Sequence, residues 1–540
     1  MTTVYEAFCD AATRFRDHAF VCVPAYKKRS YHPEGVEFTY GEAAGEVERL
    51  KRIYKTAGYG HGHRIAYLLE NRPDYLLHML AANALGVSVV PVNPDYLQDE
   101  MQYLLEHSDV DLVVSIGERT LDIQKVALKR TRPLPVVKLE EFAGWIPRPR
   151  PAPLAGSPGF LSEVSLLYTS GTTGRPKGCI LTNDYFLTAG RTYLSLGGVA
   201  TIRLGQERIY NPLPLFHMNA AAVTFLCVIL SGGCLIIPDR FHPTTWWQEV
   251  VETRATVIHY LGVVPPMLMN QPKSEYETAH SVRFGLGAGV EPELHEQFET
   301  RYGFPLVEVW GMTETGRVFA DSNEPRQIHT RAFGRPTDEF LARVIDENNN
   351  EVPPGTEGEL LVKCGGGDPR RGFFAGYLKN EEATEEAWKG GWFHTGDTVR
   401  QDESGMLYFV DRKKNIIRRS GENIAAAEVE AVLQAHEDIA KVAVIAVKDE
   451  LREEEVMACI VLMEGVAATE ETAEGLFSYA DESLAYFKTP GWILFLDDLP
   501  TTGTQKIQKT RIFGADVDPR EQAGAVDFRE MKRKRKSFLS

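Results

Sequence analysis

Between Arg64 and Ser115 the chain alternates two apolar patterns, and this alternation constrains the fold more than any other feature. Arg64–Leu69 and Val87–Val92 are short apolar runs expected as strands. Asp74–Leu85 follows Pro73, a residue suited to the first turn of a helix. Gln98–His107 is expected as a helix and Asp111–Ser115 as a strand. Strands separated by helices of this length imply a parallel sheet with helices on its faces. The same pattern returns in helix Trp246–Glu252, strands Val257–Leu261 and Val282–Leu286, helix Pro292–Tyr302 and strand Pro305–Trp310. Residues 1–60 are expected to be largely helical, and the run Ala220–Leu230, closed by Ser231-Gly232-Gly233, to be a buried helix too short to span a bilayer.

Beyond residue 340 the pattern changes. Phe340–Ile345, Glu359–Val362 and Met406–Val410 are expected strands between Gly, Pro and Asn turns, a small β-rich section. Ala425–Gln434 and Thr472–Leu484 as helices, with Val442–Val447, Ala458–Met463 and Trp492–Leu496 as strands, make a compact α+β unit. The fold class is therefore α/β: a large N-terminal region of parallel αβα sheets, a small β-rich section and a small α+β C-terminal domain. A chain of 540 residues exceeds what one core usually serves. The proline-rich stretch Pro147–Pro158 is read as a link between two halves of the large region. Residues 516–540, ending in Lys532-Arg533-Lys534-Arg535-Lys536, have little apolar patterning and are expected to form a disordered basic tail.

Composition excludes some functions. A formal charge of -16 argues against a general nucleic-acid binder, whose affinity comes from basic residues. Seven scattered cysteines with no CxxC pair argue against a zinc site and for a reducing compartment, with each cysteine read as a small buried hydrophobe. Met1–Asp10 has no basic n-region, so no signal peptide is expected, and the expected location is the cytoplasm.

The chemistry begins at Tyr168-Thr169-Ser170-Gly171-Thr172-Thr173-Gly174-Arg175-Pro176-Lys177-Gly178, which follows the apolar run Val164–Leu167. Hydroxyl donors, glycine backbone and one lysine on a short loop make a phosphate cradle. It is not a Walker loop, because Lys177 is preceded by proline and followed by glycine, and the hydroxyls precede it.

This stretch resembles the phosphate loop of the adenylate-forming superfamily, which includes acyl-CoA synthetases, luciferase-like enzymes and nonribosomal adenylation domains. Further motifs follow in that family's order. Gly287-Ala288-Gly289 resembles its adenine-side loop. Trp310-Gly311-Met312-Thr313-Glu314-Thr315 resembles the segment in which an aromatic residue borders the nucleotide, a threonine meets the α-phosphate and a glutamate serves the metal. Gly391-Trp392-Phe393-His394-Thr395-Gly396-Asp397 resembles the ribose-binding segment, with Asp397 on the ribose and Arg412 also reaching the ribose or phosphates. Lys414 matches the hinge, and Gly421-Glu422-Asn423-Ile424 resembles the loop that enters the site for thioester formation. Lys506, in Leu499-Pro500-Thr501-Thr502-Gly503-Thr504-Gln505-Lys506-Ile507, matches the lysine that bridges carboxylate and α-phosphate; Gln505 stands where the family usually has glycine.

The resemblance implies an ATP-dependent acid–CoA ligase that uses ATP, Mg2+ and CoA, forming an acyl-adenylate and then a thioester. It implies catalytic roles for Lys506, Thr173, Glu314 and His217, with Glu314 on the metal. It implies ATP or AMP contacts from Thr169, Ser170, Gly171, Thr172, Thr173, Gly174, Lys177, Gly287, Ala288, Gly289, Trp310, Gly311, Met312, Thr313, Glu314, Asp397, Arg412 and Lys506, and CoA contacts from Gly421, Glu422 and Asn423. Domains are expected at 1–413 and 414–515, the second mobile about Lys414. Leu213-Pro214-Leu215-Phe216-His217-Met218-Asn219 resembles the gate of the acyl pocket, where His217 orients the acid or gates the pocket, or else is a packed core histidine. Overall the chain resembles the crotonobetaine/carnitine–CoA ligase-like branch and medium-chain acyl-CoA synthetases, with Trp246-Trp247 and Arg254-Ala255-Thr256-Val257 adding to the former. Partners would be the acid and CoA, with no nucleic acid and a homodimer as a candidate assembly. The alternatives are transfer to a separate carrier protein and a non-catalytic nucleotide-binding relative.

Overall fold

The structure, a computed structural model, describes residues 2–128, 134–142, 146–169, 176–262, 264–412, 416–500, 507, 509–514 and 517–533, with the backbone alone for Glu118, Asp411, Arg412, Ala427 and Thr510. It divides into two compact units: one of residues 1–94, 101–168 and 178–411, the other of 95–100, 169–177 and 412–540.

In the first unit the strand–helix alternation builds mostly parallel sheets. Among the described residues, one sheet has seven strands in the order Gly376–Tyr377, Lys177–Thr182, Glu163–Thr169, Ser88–Pro91, Arg64–Leu68, Leu112–Ser115 and Val136–Lys138. A second has eight: Val318–Ala320, Leu306–Gly311, Phe284–Ala288, Val257–Leu261, Arg208–Tyr210, Cys234–Ile236, Ala19–Val23 and Val36–Thr39. A third, the expected β-rich section, has five antiparallel strands in which Glu357–Cys364 lies between Phe340–Ile345 and Phe393–Gln401. Each buried strand is a short apolar run with long-range partners, as parallel pairing between covered faces requires.

Three parallel strands of the eight-stranded sheet matter most. Val257–Leu261, Phe284–Ala288 and Leu306–Gly311 pair so that Tyr260, Gly287 and Glu308 lie abreast. Ligands of open α/β sheets gather beyond the carboxyl ends of such strands. The helix Asn183–Leu194, capped by the Thr182 hydroxyl accepting from Tyr185 N–H, packs beside the segment Asn219–Ser231. The expected helix at Ala220–Leu230 is present, but it opens as a π-helical turn, Asn219–Thr224, before becoming α-helical at Phe225–Ser231. Such turns in a helix frequently mark functional sites.

The second unit is an α+β body. Ile439–Asp449 and Glu453–Leu462 form its long antiparallel pair, joined by Ile416–Arg419, Glu422–Ala425 and Trp492–Phe495, with helices Ala426–Gln434 and Glu470–Ser483. Ile417, Val429, Leu433, Val444, Ala458 and Leu476 are in its core.

Three expectations are corrected. Residues 1–60 are not largely helical: strands Ala19–Val23 and Val36–Thr39 separate helices Val4–Arg14 and Tyr40–Ala57. Ala19–Val23 pairs in parallel with Cys234–Ile236, a partner that local propensity does not reveal. Residues 517–533 are not a disordered tail. Val526–Asp527 pairs with Trp492–Ile493, and Phe528 is buried and stacked on Phe477 with centroids 4.8 Å apart. Lys532 is buried as well, its ammonium donating to Glu455 Oε1 at 2.7 Å and to the Thr489 carbonyl. A basic run suggests a solvated face, but here Glu455 and backbone carbonyls replace water. Residues 534–540 lie outside the described set. Finally, six of the cysteines are buried, as expected of small hydrophobes, but Cys9 is exposed. Among the described residues, no helix is long and apolar enough to cross a membrane.

Candidate active site

The site is assembled where the strands Phe284–Ala288 and Leu306–Gly311 end. Gly287 cannot be replaced without a clash, because a Cβ there would lie 2.3 Å from the Tyr260 carbonyl oxygen. The gap lets Tyr260 and Glu308, on the flanking strands, meet across it. The Tyr260 hydroxyl donates to Glu308 Oε1 at 2.6 Å. Glu308 also accepts the backbone N–H groups of Gly289 at 2.8 Å and Val290 at 3.3 Å. Burial pushes the Glu308 carboxyl upward, and its three donors oppose that shift. The Gly287-Ala288-Gly289 loop is thereby pinned at both its strand and its turn.

Trp310 closes the next strand. It is 6% exposed, and its ring stacks on Phe319 at 5.7 Å. Its polar edge does the reaching: the indole N–H donates to Asp397 Oδ2 at 2.8 Å. Asp397 is placed by an irregularity in the strand Phe393–Gln401, where pairing with Glu357–Cys364 shifts register between Glu359 and Leu361. Such a bulge re-aims side chains. Thr395 holds the bulge, its hydroxyl donating to the Leu360 carbonyl at 2.7 Å and accepting Asp397 N–H at 3.1 Å. Asp397 is itself buried.

Beyond Trp310 the chain turns at Met312–Thr315, with the Thr315 N–H and hydroxyl both donating to the Met312 carbonyl. Glu314 sits in this turn, buried, its Oε1 accepting the Tyr377 hydroxyl at 2.8 Å, while Phe374 N–H binds the Glu314 carbonyl at 2.9 Å. Among the described residues no lysine or arginine pairs with Glu314, and no cluster of three metal-ligating side chains occurs. A buried carboxylate oriented by one hydroxyl has the donor chemistry for a divalent ion whose other ligands come from phosphate and water.

The remaining sequence expectations fall elsewhere. Thr169 and Lys177 end adjacent strands and frame the loop; Ser170, Gly171, Thr172, Thr173 and Gly174, with Lys414 and Lys506, lie outside the described residues. Arg412 ends the strand Leu407–Arg412. Gly421, Glu422 and Asn423 belong to the second unit, where Ser420 (φ 52°) and Gly421 (φ 89°) form the two-residue turn between Ile416–Arg419 and Glu422–Ala425. Two successive positive φ angles make glycine the natural second residue of that hairpin. His217 is partly exposed, beside Phe216, and its backbone bonds to Pro214 and Ala221.

The structure therefore joins Trp310 directly with Asp397, which Thr395 of the quoted ribose segment helps to place, and fixes Glu314 and the glycine loop through residues the sequence reading missed, Tyr377 and Glu308. For Glu308 the available signal was position, two residues before Trp310 in the same strand.

The family model described as AMP-binding enzyme matches residues 8–378, and that described as AMP-binding enzyme C-terminal domain matches residues 428–506. The crotonobetaine/carnitine–CoA ligase of Citrobacter koseri is 30% identical over 498 residues, 89% of this chain and 94% of the relative. Its counterpart from Proteus mirabilis is 29% identical over 500 residues, 88% of this chain and 93% of the relative. Among solved structures, a double mutant of the o-succinylbenzoate CoA synthetase of Bacillus subtilis, bound with a product analogue, superposes with a TM-score of 0.81 at 23% identity, covering 96% of this chain and 99% of that one. The amide bond synthetase of Marinactinospora thermotolerans gives 0.78 at 23% identity, covering 94% and 99%.

Proposed function

Because the chain belongs to the AMP-binding enzyme family of adenylate-forming ligases, we propose that it is an ATP-dependent acid–CoA ligase. The carboxylate oxygen of the acid attacks the α-phosphorus of ATP, and the bond to pyrophosphate breaks. The sulfur of CoA then attacks the acyl carbon, AMP leaves with the bonding electrons, and the thiol proton passes to solvent.

The observation that carries this reading is the Trp310–Asp397 hydrogen bond, which ties a buried carboxylate to the segment bearing Glu314. A carboxylate can accept from both hydroxyls of a ribose, and in this reading Asp397, held by the Trp310 indole at Oδ2, is that carboxylate. The loop Gly287–Gly289, pinned by Glu308, offers a flat glycine edge to the adenine. Glu314, oriented by Tyr377, would hold Mg2+ together with phosphate oxygens. That ion would neutralise phosphate charge as pyrophosphate departs. In this reading the loop 169–178 secures the leaving phosphates, Lys506 offsets charge at the α-phosphate, and Gly421–Asn423 serve the thiol step.

The acceptor is read as CoA because the curated relatives are CoA ligases along nearly their whole length. The test is a screen of carboxylic acids for pyrophosphate release, with CoA present and absent. Acid-dependent release, with an acyl-CoA found by mass spectrometry, is expected. Release that needs an added carrier protein would move the acceptor to that protein, and no release with any acid would contradict the reading.

A further inference from the structure

A buried hydrogen-bond chain behind the segment Leu213–Asn219 has its polarity set at one end by the backbone. Leu213 N–H donates to Asn211 Oδ1 at 2.9 Å, so the other amide atom of Asn211 is the nitrogen. That nitrogen donates to Thr224 Oγ1 at 2.8 Å and to Asn219 at 2.9 Å, which makes the receiving atom of Asn219 its oxygen, Oδ1. His259 Nδ1 also lies 3.0 Å from Asn219 Oδ1 and must therefore carry the proton. His259 Nε2 is then an acceptor, and the Tyr193 hydroxyl donates to it at 2.9 Å. Tyr193, His259, Asn211 and Thr224 are all buried.

The consequence lies at Asn219. Its oxygen is surrounded by donors from Asn211 and His259, so its amide N–H2 is turned away from the chain. Among the described residues that nitrogen has no hydrogen-bond partner, and Asn219 is partly exposed. It begins the π-helical turn, two residues beyond His217 and next to the buried run Ala220–Thr224. Resting on the ligase reading, in which Leu213–Asn219 is the gate of the acyl pocket, we infer that Asn219 is a specificity-determining donor for the acyl part of the acid. The acid class it selects is one with a hydroxyl or carbonyl oxygen on the acyl chain. An unsubstituted chain would cover the amide without replacing its water, and a site built to hydrogen-bond a substrate rejects the analogue that lacks the group.

Tyr193 and His259 are positioning residues. They touch no substrate and hold the Asn219 amide in one orientation.

The test measures acid-dependent ATP–pyrophosphate exchange over acids of several chain lengths, each with a 2- or 3-hydroxyl, a 2- or 3-oxo group, or neither. The wild type should favour the oxygen-bearing member of a matched set by about tenfold or more in kcat/KM. Asn219→Leu should bring that ratio near one. Asn219→Asp offers only acceptors, so it should retain preference for the hydroxy acid, which can donate, and lose it for the oxo acid. His259→Asn, which restores an N–H at the Nδ1 position, should keep the ratio that His259→Leu loses. A ratio that is the same in wild type and Asn219→Leu would overturn the inference while leaving the ligase reading intact. Exchange with no acid would overturn the ligase reading, and the inference with it.

Discussion

The indole N–H of Trp310 donates to Asp397 Oδ2 at 2.8 Å, so two segments far apart in sequence share one buried hydrogen bond at the proposed ribose position. Trp310→Phe keeps the stacking on Phe319 and removes this donor. A hydrogen bond to a charged group contributes about 1.5–3 kcal/mol, so the KM for ATP should rise by about tenfold or more, with the KM for the acid changing far less. Steady-state kinetics in both substrates check this. Equal rises in both would mean that Trp310 acts through general packing.

Tyr377 should matter through Glu314. In Tyr377→Phe the carboxylate loses the hydroxyl at Oε1, and the Mg2+ concentration giving half-maximal rate should rise roughly fivefold, in keeping with the loss of one hydrogen bond. Mn2+ binding to the enzyme–nucleotide complex, followed by electron paramagnetic resonance, should weaken in parallel. Unchanged metal dependence would remove Tyr377 from the site.

The folded segment 517–533 should carry stability. Phe528→Ala deletes a ring buried against Phe477, a change that typically costs about 3–5 kcal/mol. Thermal unfolding of the full chain should show the transition of the second unit several degrees lower. An unshifted transition would mean that the segment is not docked in solution.

His259 sets a pH dependence with a definite sign. Burial holds its pKa down to about 3, against about 6.5 for an unfolded histidine. As pH falls from about 6.5 toward 3 the unfolded chain takes up the proton first, so this group subtracts stability through that window and has no effect above it. His259→Asn lacks the titration. The gap in melting temperature between wild type and variant should therefore narrow as pH falls below about 6.5 and stay constant from pH 7 to 9. A gap that changes only above pH 7 would contradict the neutral buried histidine.

Much of this molecule was legible in its sequence because its signals were local. The run Arg64–Leu69 was a strand by composition, and it is one from Arg64 to Leu68. The glycine at 287 and the acid at 314 could be placed by motif. What was not legible depends on distant register. Tyr260 and Glu308 meet only because Gly287 lies between them in the sheet, and the Asn219 network needs Tyr193, Asn211 and His259 from three separate elements. The strand Ala19–Val23 was hidden for the same reason, its partner being Cys234–Ile236. Lys532 misled because charge in a basic run suggests solvent, and only Glu455 on a distant strand makes its burial favourable.

The most direct test of the central claim follows oxygen. With an acid accepted in the screen and labelled with 18O in its carboxylate, formation of an acyl-adenylate and its cleavage by CoA must leave one labelled oxygen in AMP. AMP should be heavier by one 18O and released in equal amount with the acyl-CoA. Label recovered in inorganic phosphate, with ADP rather than AMP as the nucleotide product, would contradict that mechanism.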